Sequence, residues 1–252
     1  MVKALPIPEQ RLPEQRQVRF PDNRSLGELY VVDSVGKSEF WGEATGLVDV
    51  PSGKDLALYY SFDPTFGLSP LIEVSPDALS SISFLGSDIN DEELASIGRL
   101  VGLKEIDISC TAIGDRGLAY LAPLERLTKL NLSSTKVTDQ GLVVLAQLQY
   151  LEELVLDDTH IGDSGLSHIA QLPRLKTLSL SFTRVTNKGL PKLKEVGQLE
   201  RLRLNCTRIG DDGLIHVARM KGLKELWVRS TDVTYPGLVE LTKWLSDCEI
   251  IR

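Results

Sequence analysis

LTKLNLSSTKVTDQGLVVLAQLQY (residues 127–150) runs without a gap into LEELVLDDTHIGDSGLSHIAQLPR (151–174). Laid one over the other, the two segments share the template LxxLxLxxTx(I/V)xDxGLxxLAxLxx, with Ile169 standing for one leucine. Read outward from this pair, the leading leucine recurs at Leu79, Leu103, Leu175, Leu199 and Leu223. A 24-residue period therefore holds through the last two-thirds of the chain without insertion or deletion. A fixed period of this length marks a stacked solenoid, in which each unit buries its apolar face only against its neighbours.

Within one unit the segment LxLxx alternates apolar and polar residues, the sign of a strand with one buried face. Leu130 and Leu132 point inward; Lys129, Asn131 and Ser133 point outward. The later GLxxLAxL spaces its apolar residues as a helix stripe, formed in residues 127–150 by Leu142, Leu145, Ala146 and Leu148. Between the two, Thr138 or Gly162 suits a helix N-cap. Asp139 or Asp163 falls in the first turn, where a carboxylate favours the positive end of the helix dipole.

The aspartates Asp91, Asp115, Asp139, Asp163 and Asp211 form a row that Asn187 and Tyr235 interrupt. Calcium needs several oxygens converging on one point; one Asp per unit makes a column instead, so no metal is expected. The recurring Gly117, Gly141, Gly165, Gly189, Gly213 and Gly237 cost helix stability, which points to close backbone approach between neighbouring turns. Thr111, Thr135, Thr159, Thr183, Thr207 and Thr231 hold one position, with Ser87 in the first unit. A buried hydroxyl needs a partner, and the adjacent loop's backbone is the expected one.

These residues resemble the leucine-rich repeat family, whose pattern is L-x-x-L-x-L-x-x-N/C-x-L, from Leu79 to about Ile251. Thr stands where the usual ladder has Asn or Cys. LxLxxTx(I/V)TDxGL is similar to the bacterial relatives of the ribonuclease-inhibitor-like and cysteine-containing subclasses. The resemblance implies an α/β fold: a right-handed, curved solenoid of seven 24-residue repeats, parallel sheet on the concave side and helices on the convex side. It also implies protein binding, which is what most of the family do.

Residues 1–76 lack the repeat and are read as an N-terminal extended segment with a small β-rich cap; residues 77–252 are the solenoid. The first 25 residues are rich in Pro, Arg and Gln and read as extended. Leu29, Val31, Val48, Val50, Leu56, Leu58 and Tyr60 sit in alternating runs, and VPSGKD between two of these predicts a β-hairpin. LSPLIEVSPDAL (68–79) joins cap to array. At the far end Pro236 suits the first turn of the last helix. Trp244 takes the place of the template's last leucine, with Cys248, Ile250 and Ile251 closing the core.

Net charge is −7, which disfavours duplex nucleic acid as a global partner. The odd set Cys110, Cys206 and Cys248 argues against a disulfide framework. Cys110 and Cys206, four units apart, are separated by roughly 19 Å at about 4.8 Å per strand, and read as reduced structural thiols. No apolar run reaches the ~20 residues that span a bilayer, and the start lacks a secretory hydrophobic stretch; the expectation is a cytoplasmic monomer. His168 and His216 stack on the helix side without a nucleophile nearby, no phosphate-cradling loop occurs, and no deep pocket is expected. No catalytic residue or cofactor is assigned. An enzyme built on Asp33, Glu43 or Asp49 has no motif behind it.

Binding is placed on the outward strand positions, which vary from unit to unit. The middle of the array is mild and acidic, with Asp107 and Asp157. The last two units gather Arg201, Arg203, Trp227 and Arg229, with Phe182 just past its strand nearby. Arg and Trp most often dominate interfaces. The first expectation is a non-catalytic scaffold for a protein or peptide at these residues. The alternative is an anionic ligand, polysaccharide or nucleic acid, held by the same arginines and by a basic rim of Lys136, His160, Arg184 and Arg208.

Overall fold

The structure, a computed structural model, describes residues 16–252. The reading of the first 25 residues as extended lies, for 1–15, outside the described residues. From there the chain forms β1 (Arg16–Arg19), β2 (Gly27–Val32), β3 (Ser38–Glu43), β4 (Leu47–Val50) and β5 (Asp55–Tyr60). The repeated coils then supply three-residue strands: β6 (Ser81–Ser83), β7 (Glu105–Asp107), β8 (Lys129–Asn131), β9 (Glu153–Val155), β10 (Thr177–Ser179), β11 (Arg201–Arg203), β12 (Glu225–Trp227) and β13 (Glu249–Ile251).

Alternation does what it should. Leu103, Leu127, Leu151 and Leu175 are fully buried, Leu79, Leu199 and Leu223 nearly so, and Leu130 and Leu132 turn inward with them. Strands β5 to β13 pair in parallel, and each step in register is 24 residues: Ala57, Ser81, Glu105, Lys129, Glu153, Thr177, Arg201, Glu225 and Glu249 lie side by side. β2 and β3 extend this sheet in antiparallel fashion, giving eleven strands in one sheet.

The expected hairpin across VPSGKD does not form. A turn is present, with Gly53 at φ +72° and the Lys54 N–H donating to Pro51 O at 3.2 Å. Its two arms, however, belong to different sheets: β4 pairs with β1, while β5 pairs with β2 on one edge and β6 on the other. β5 carries Leu56, Leu58 and Tyr60 into the same core as the repeats, so the coil edge competes successfully for it. The hairpin that does form joins β2 to β3.

Opposite the sheet run short helical turns. α1 (Asp115–Ala119), α2 (Leu166–Ile169), α3 (Asp211–Val217) and α4 (Tyr235–Thr242) are α-helical; Ser69–Glu73, Glu93–Ser96, Gly141–Gln147 and Leu190–Glu195 are 3₁₀. The tighter winding changes which residues are buried. At three residues per turn, Leu142, Leu145 and Leu148 stack inward together with Val144, while Ala146 is exposed, contrary to the α-helical stripe. In α4 the wider α turn moves the buried position one residue on. Leu245 donates its N–H to Leu241 O at 3.0 Å and is buried, and Trp244 is 60% exposed rather than core. Cys248 and Ile250 do pack against the core.

The polar rows hold the coils together, though not as expected. Each aspartate accepts from the coil that follows it: Asp115 Oδ1 from Thr138 N at 2.8 Å and Oδ2 from Thr138 Oγ1 at 2.6 Å; Asp139 Oδ1 from Gly162 N at 2.7 Å; Asp163 from Thr186 N and Oγ1 at 2.8 and 2.7 Å. Asn187 does not break this row: its Oδ1 accepts from Gly210 N at 2.8 Å. An amide has one acceptor atom, and Gly210 asks for only one.

The recurring glycine follows from the same carboxylate. A Cβ on Gly165 would lie 2.5 Å from Asp139 Oδ1, and one on Gly213 the same distance from Asn187 Oδ1. The neighbouring coil's side chain, more than its backbone, forbids a side chain there. The buried threonines bond within their own coil, not to the adjacent loop: Thr135 Oγ1 donates to Leu132 O and Thr159 Oγ1 to Leu156 O, both at 2.6 Å.

Candidate interaction surface

The outward side chains of the sheet fall into columns because register is kept from strand to strand. Arg203 and Trp227 are side by side in one column, on β11 and β12. The Arg203 guanidinium lies 5.4 Å and the Arg229 guanidinium 5.9 Å from the centre of the Trp227 ring, within cation–π range. Arg201, two residues before Arg203, donates from Nε to Thr177 Oγ1 at 3.0 Å. Among the described residues none of Arg201, Arg203 and Arg229 has a carboxylate within ion-pair distance. The Trp227 Nε1–H is buried without an acceptor. The structure thus brings Arg203, Trp227 and Arg229 together, with Arg201 on the same strand.

Phe182 borders this group. Its N–H donates to Asn205 O at 2.8 Å, its φ is +60°, and its side chain is 61% exposed. The same left-handed position is held elsewhere by Gly86, Cys110, Ser134, Asp158, Cys206 and Ser230. A bulky residue there is strained, by about 1–3 kcal/mol, and Phe182 gains no burial in return. Cys110, expected as a structural thiol, is exposed at this position.

Asp157 and Asp107 stand apart. Asp107 is four strands from Arg203, roughly 19 Å at strand spacing, and its Oδ1 accepts from Ser109 N and Oγ at 2.9 and 2.6 Å. Asp157 Oδ1 accepts from Ser179 Oγ and Ser181 N at 2.6 and 2.7 Å. Thr177, Ser179 and Ser181, outward positions by pattern, are buried, Ser179 completely. The rim residues His160, Arg184 and Arg208 are exposed and tied into a second set of parallel bridges, His160 to Thr138, Arg184 to Gly162 and Arg208 to Thr186.

The other end of the sheet was not anticipated. Tyr30 stacks edge-on against Phe40 and Tyr59, with ring centres 5.6 and 5.0 Å apart. Two depressions of about 260 and 240 Å³ adjoin them and share Tyr59, Ser81, Glu105 and Lys129. Glu105 bonds Lys129 at 2.7 Å, and that hydrogen bond raises the Lys129 pKa above its ordinary value. The signal was in the runs already read: Tyr30 and Tyr59 occupy the alternate positions that face outward when Leu29, Val31 and Leu58 face in.

A groove of about 580 Å³ lies between α3 and α4 on the helix side, lined by Leu214, Ile215, Ala218, Leu241 and Trp244. No such pocket was expected; it exists because the α-helical winding of α4 leaves Trp244 outside as a wall. Asp33, Glu43 and Asp49 are separately engaged. Asp33 caps a turn by accepting from Val35 N and Lys37 N, and the Lys37 bond foremost holds its carboxyl below the usual range. Glu43 accepts from Ser25 and Asp49 from Gln17. Among the described residues no three His, Cys, Asp or Glu are grouped to hold a metal, and no helix is long and apolar enough to cross a membrane.

A family model described as Leucine Rich repeat matches residues 103–122, 127–146, 147–170 and 199–218. Solved structures with the same fold include an internalin (inlF) from Listeria monocytogenes str. 4b F2365. It matches at TM-score 0.61 and 24% identity, over 75% of this chain and 50% of that one. An internalin C2 (inlC2) from the same strain matches at TM-score 0.55 and 22% identity, over 73% and 83%. The chain spans about half the length of the first of these. No curated protein matches it significantly. The family model matches four stretches of the solenoid, and the two structures share its fold.

Proposed function

We propose that the protein is a non-catalytic scaffold that binds a protein or peptide on its sheet face, at Arg201, Arg203, Trp227, Arg229 and Phe182, with Asp157 and Asp107 on the flank. One observation carries this reading: two guanidiniums lie within cation–π range of Trp227, and among the described residues no carboxylate is within ion-pair distance of them. Exposed arginines that the fold leaves unpaired in this way are groups a partner can pair. Protein binding is also what the resemblance to leucine-rich repeats implies.

The finer placement belongs to the same proposal. The threonine ladder supports the ribonuclease-inhibitor-like or cysteine-containing-like subclass. The 24-residue register supports an array of seven units over residues 77–252. Residues 1–76 are assigned the role of covering its first coil, which β2, β3 and β5 support by prolonging the sheet. A monomer in a reducing, cytoplasmic setting is in keeping with three free cysteines, one of them exposed.

The anionic alternative, a polysaccharide or nucleic acid, draws on the same unpaired arginines. Steep weakening of binding with salt would favour it over an apolar protein contact. The direct test uses the intact chain as bait beside Trp227→Ala and Arg203→Glu. Both variants are expected to lose the captured partner while melting like the parent. Retention of the partner by both would show that the surface is misassigned.

A further inference from the structure

The groove between α3 and α4 is built by helical spacing on both sides. Along α3 and its end, Asp212, Ile215 and Arg219 follow one another by three and four residues. Along α4 and its end, Gly237, Leu241 and Trp244 follow by four and three. Residues seven apart share one face of an α-helix, two turns or about 10 Å along its axis. Leu214 and Leu241 are buried at the base, while Ile215 and Trp244 are more than half exposed.

The two ends of this groove carry opposite free charge. Where α3 begins, Asp211 is engaged by Thr234, accepting from its N–H and hydroxyl at 2.8 and 2.6 Å, and Asp212 is left exposed. Where α3 ends come Arg219 and Lys221, both exposed. Lys221 Nζ donates to Trp244 O at 3.1 Å and lies 5.2 Å from the centre of its ring, which fixes it at the Trp244 end. Glu240, on the same lining, is matched by Lys243. Among the described residues none of Asp212, Arg219 and Lys221 has an opposite charge within ion-pair distance.

A complementary occupant is apolar in the middle and oppositely charged at two points about 10 Å apart. A fatty-acid-like anion matches one end only. Two copies of this chain about a two-fold axis would pair the charges but set hollow against hollow and leave the groove unfilled. An α-helix is a rod that fills a groove, and it presents side chains seven residues apart at the same 10 Å or so. Helices favour acid in their first turn and base in their last, an order that fits this groove only antiparallel to α3. We infer that the groove, on the side of the solenoid opposite the sheet, docks an amphipathic α-helix of a partner protein. Its acidic residue meets Arg219 and Lys221. A large apolar residue three or four positions on lies between Ile215 and Trp244, and a basic residue seven positions on meets Asp212. The inference is independent of the sheet surface proposed above.

The test measures binding of the intact chain to labelled Ala-rich helical peptides. The probe carries Glu, then Leu three and four residues later, then Lys seven residues later. It should bind the parent, and a scrambled peptide of the same composition should not. Gln in place of its Glu and Lys should weaken binding about threefold to tenfold, the scale of exposed ion pairs, and remove its salt dependence. Ile215→Glu should abolish binding without lowering the melting temperature. Arg219→Glu combined with Lys221→Glu should weaken binding, and a probe with Lys in place of its Glu should restore it.

No binding by the parent, or equal binding of the scrambled peptide, would overturn the helix. Failure of the swapped probe to rescue would overturn the charge pairing. Tighter binding of decanoate than of the probe, lost in Ile215→Glu, would overturn the inference in favour of a small amphiphile. Dimerisation of the parent in sedimentation, lost in Ile215→Glu, would overturn it in favour of a second copy. Capture at the sheet surface, read with Trp227→Ala, is scored separately, so either proposal can fall while the other stands.

Discussion

Two polar rows run along this molecule, and they are treated in opposite ways. On the helix side, Asp91, Asp115, Asp139, Asp163 and Asp211, with Asn187 among them, each accept from an N–H of the next coil. On the sheet side, among the described residues, Arg201, Arg203 and Arg229 have no carboxylate within ion-pair distance. A satisfied polar group inside a fold fixes register and spacing. An unsatisfied one at a surface contributes little to the fold and is available to another molecule. The first row explains why the repeat tolerates no insertion; the second shows where the repeat is free to vary.

The strongest way to break the contrast is to crowd the satisfied row. Gly165→Val puts a side chain where Asp139 Oδ1 would be 2.5 Å from its Cβ, with Leu142 and Ile161 at 3.1 Å. Overpacking of this kind should cost about 2–3 kcal/mol in urea unfolding. Adding Asp139→Ala should recover part of the loss, since it removes the nearest atom; strict additivity would show that the two do not share the space.

Next in size is Asp115→Ala, which strips two bonds from Thr138 and should cost about 2 kcal/mol for the stranded N–H and hydroxyl. Asp139→Asn should cost less than about 0.5 kcal/mol, because Gly162 asks for one acceptor and an amide keeps it. A large effect of Asp139→Asn would mean that charge, not bond count, governs the row.

A smaller effect is expected with pH. The Thr234 hydroxyl and then its N–H hold the Asp211 carboxyl below its ordinary 3.8. A depressed folded pKa gives stability that is fully present above the ordinary carboxylate range and lost as pH falls through the folded value. Thr234→Val should therefore raise the Asp211 pKa, followed by NMR titration, and weaken the acid dependence of the last coil. An unmoved pKa would assign the depression to something other than that hydroxyl.

Much of the fold was legible because stacking makes every coil repeat the same solution. The leucines, the strand positions and the outward columns could be read from one pair of segments. What could not be read was anything that depends on the neighbouring coil. An aspartate in a first helical turn reads as a dipole partner until the next coil's N–H is seen bonding to it. Ala146 and Trp244 were placed in the core by α-helical spacing; 3₁₀ winding buries Val144 in place of Ala146, and α winding buries Leu245 in place of Trp244. The strand β5 showed its alternation but not its choice of partner, which register with β6 decided. For the site, Arg203, Trp227 and Arg229 were legible as neighbours because 24-residue spacing puts Arg203 beside Trp227. The burial of Ser179 is not written in a pattern of residue types, and neither is the strain at Phe182, which depends on a backbone angle.

The most direct test of the account is to measure unfolding free energy and partner capture on one variant, Arg203→Glu. The predicted result is an unfolding free energy within about 0.5 kcal/mol of the parent, as for a surface change outside the fold's own network, with partner capture gone. A loss of stability comparable to Asp115→Ala, or binding that survives the reversal, would contradict it.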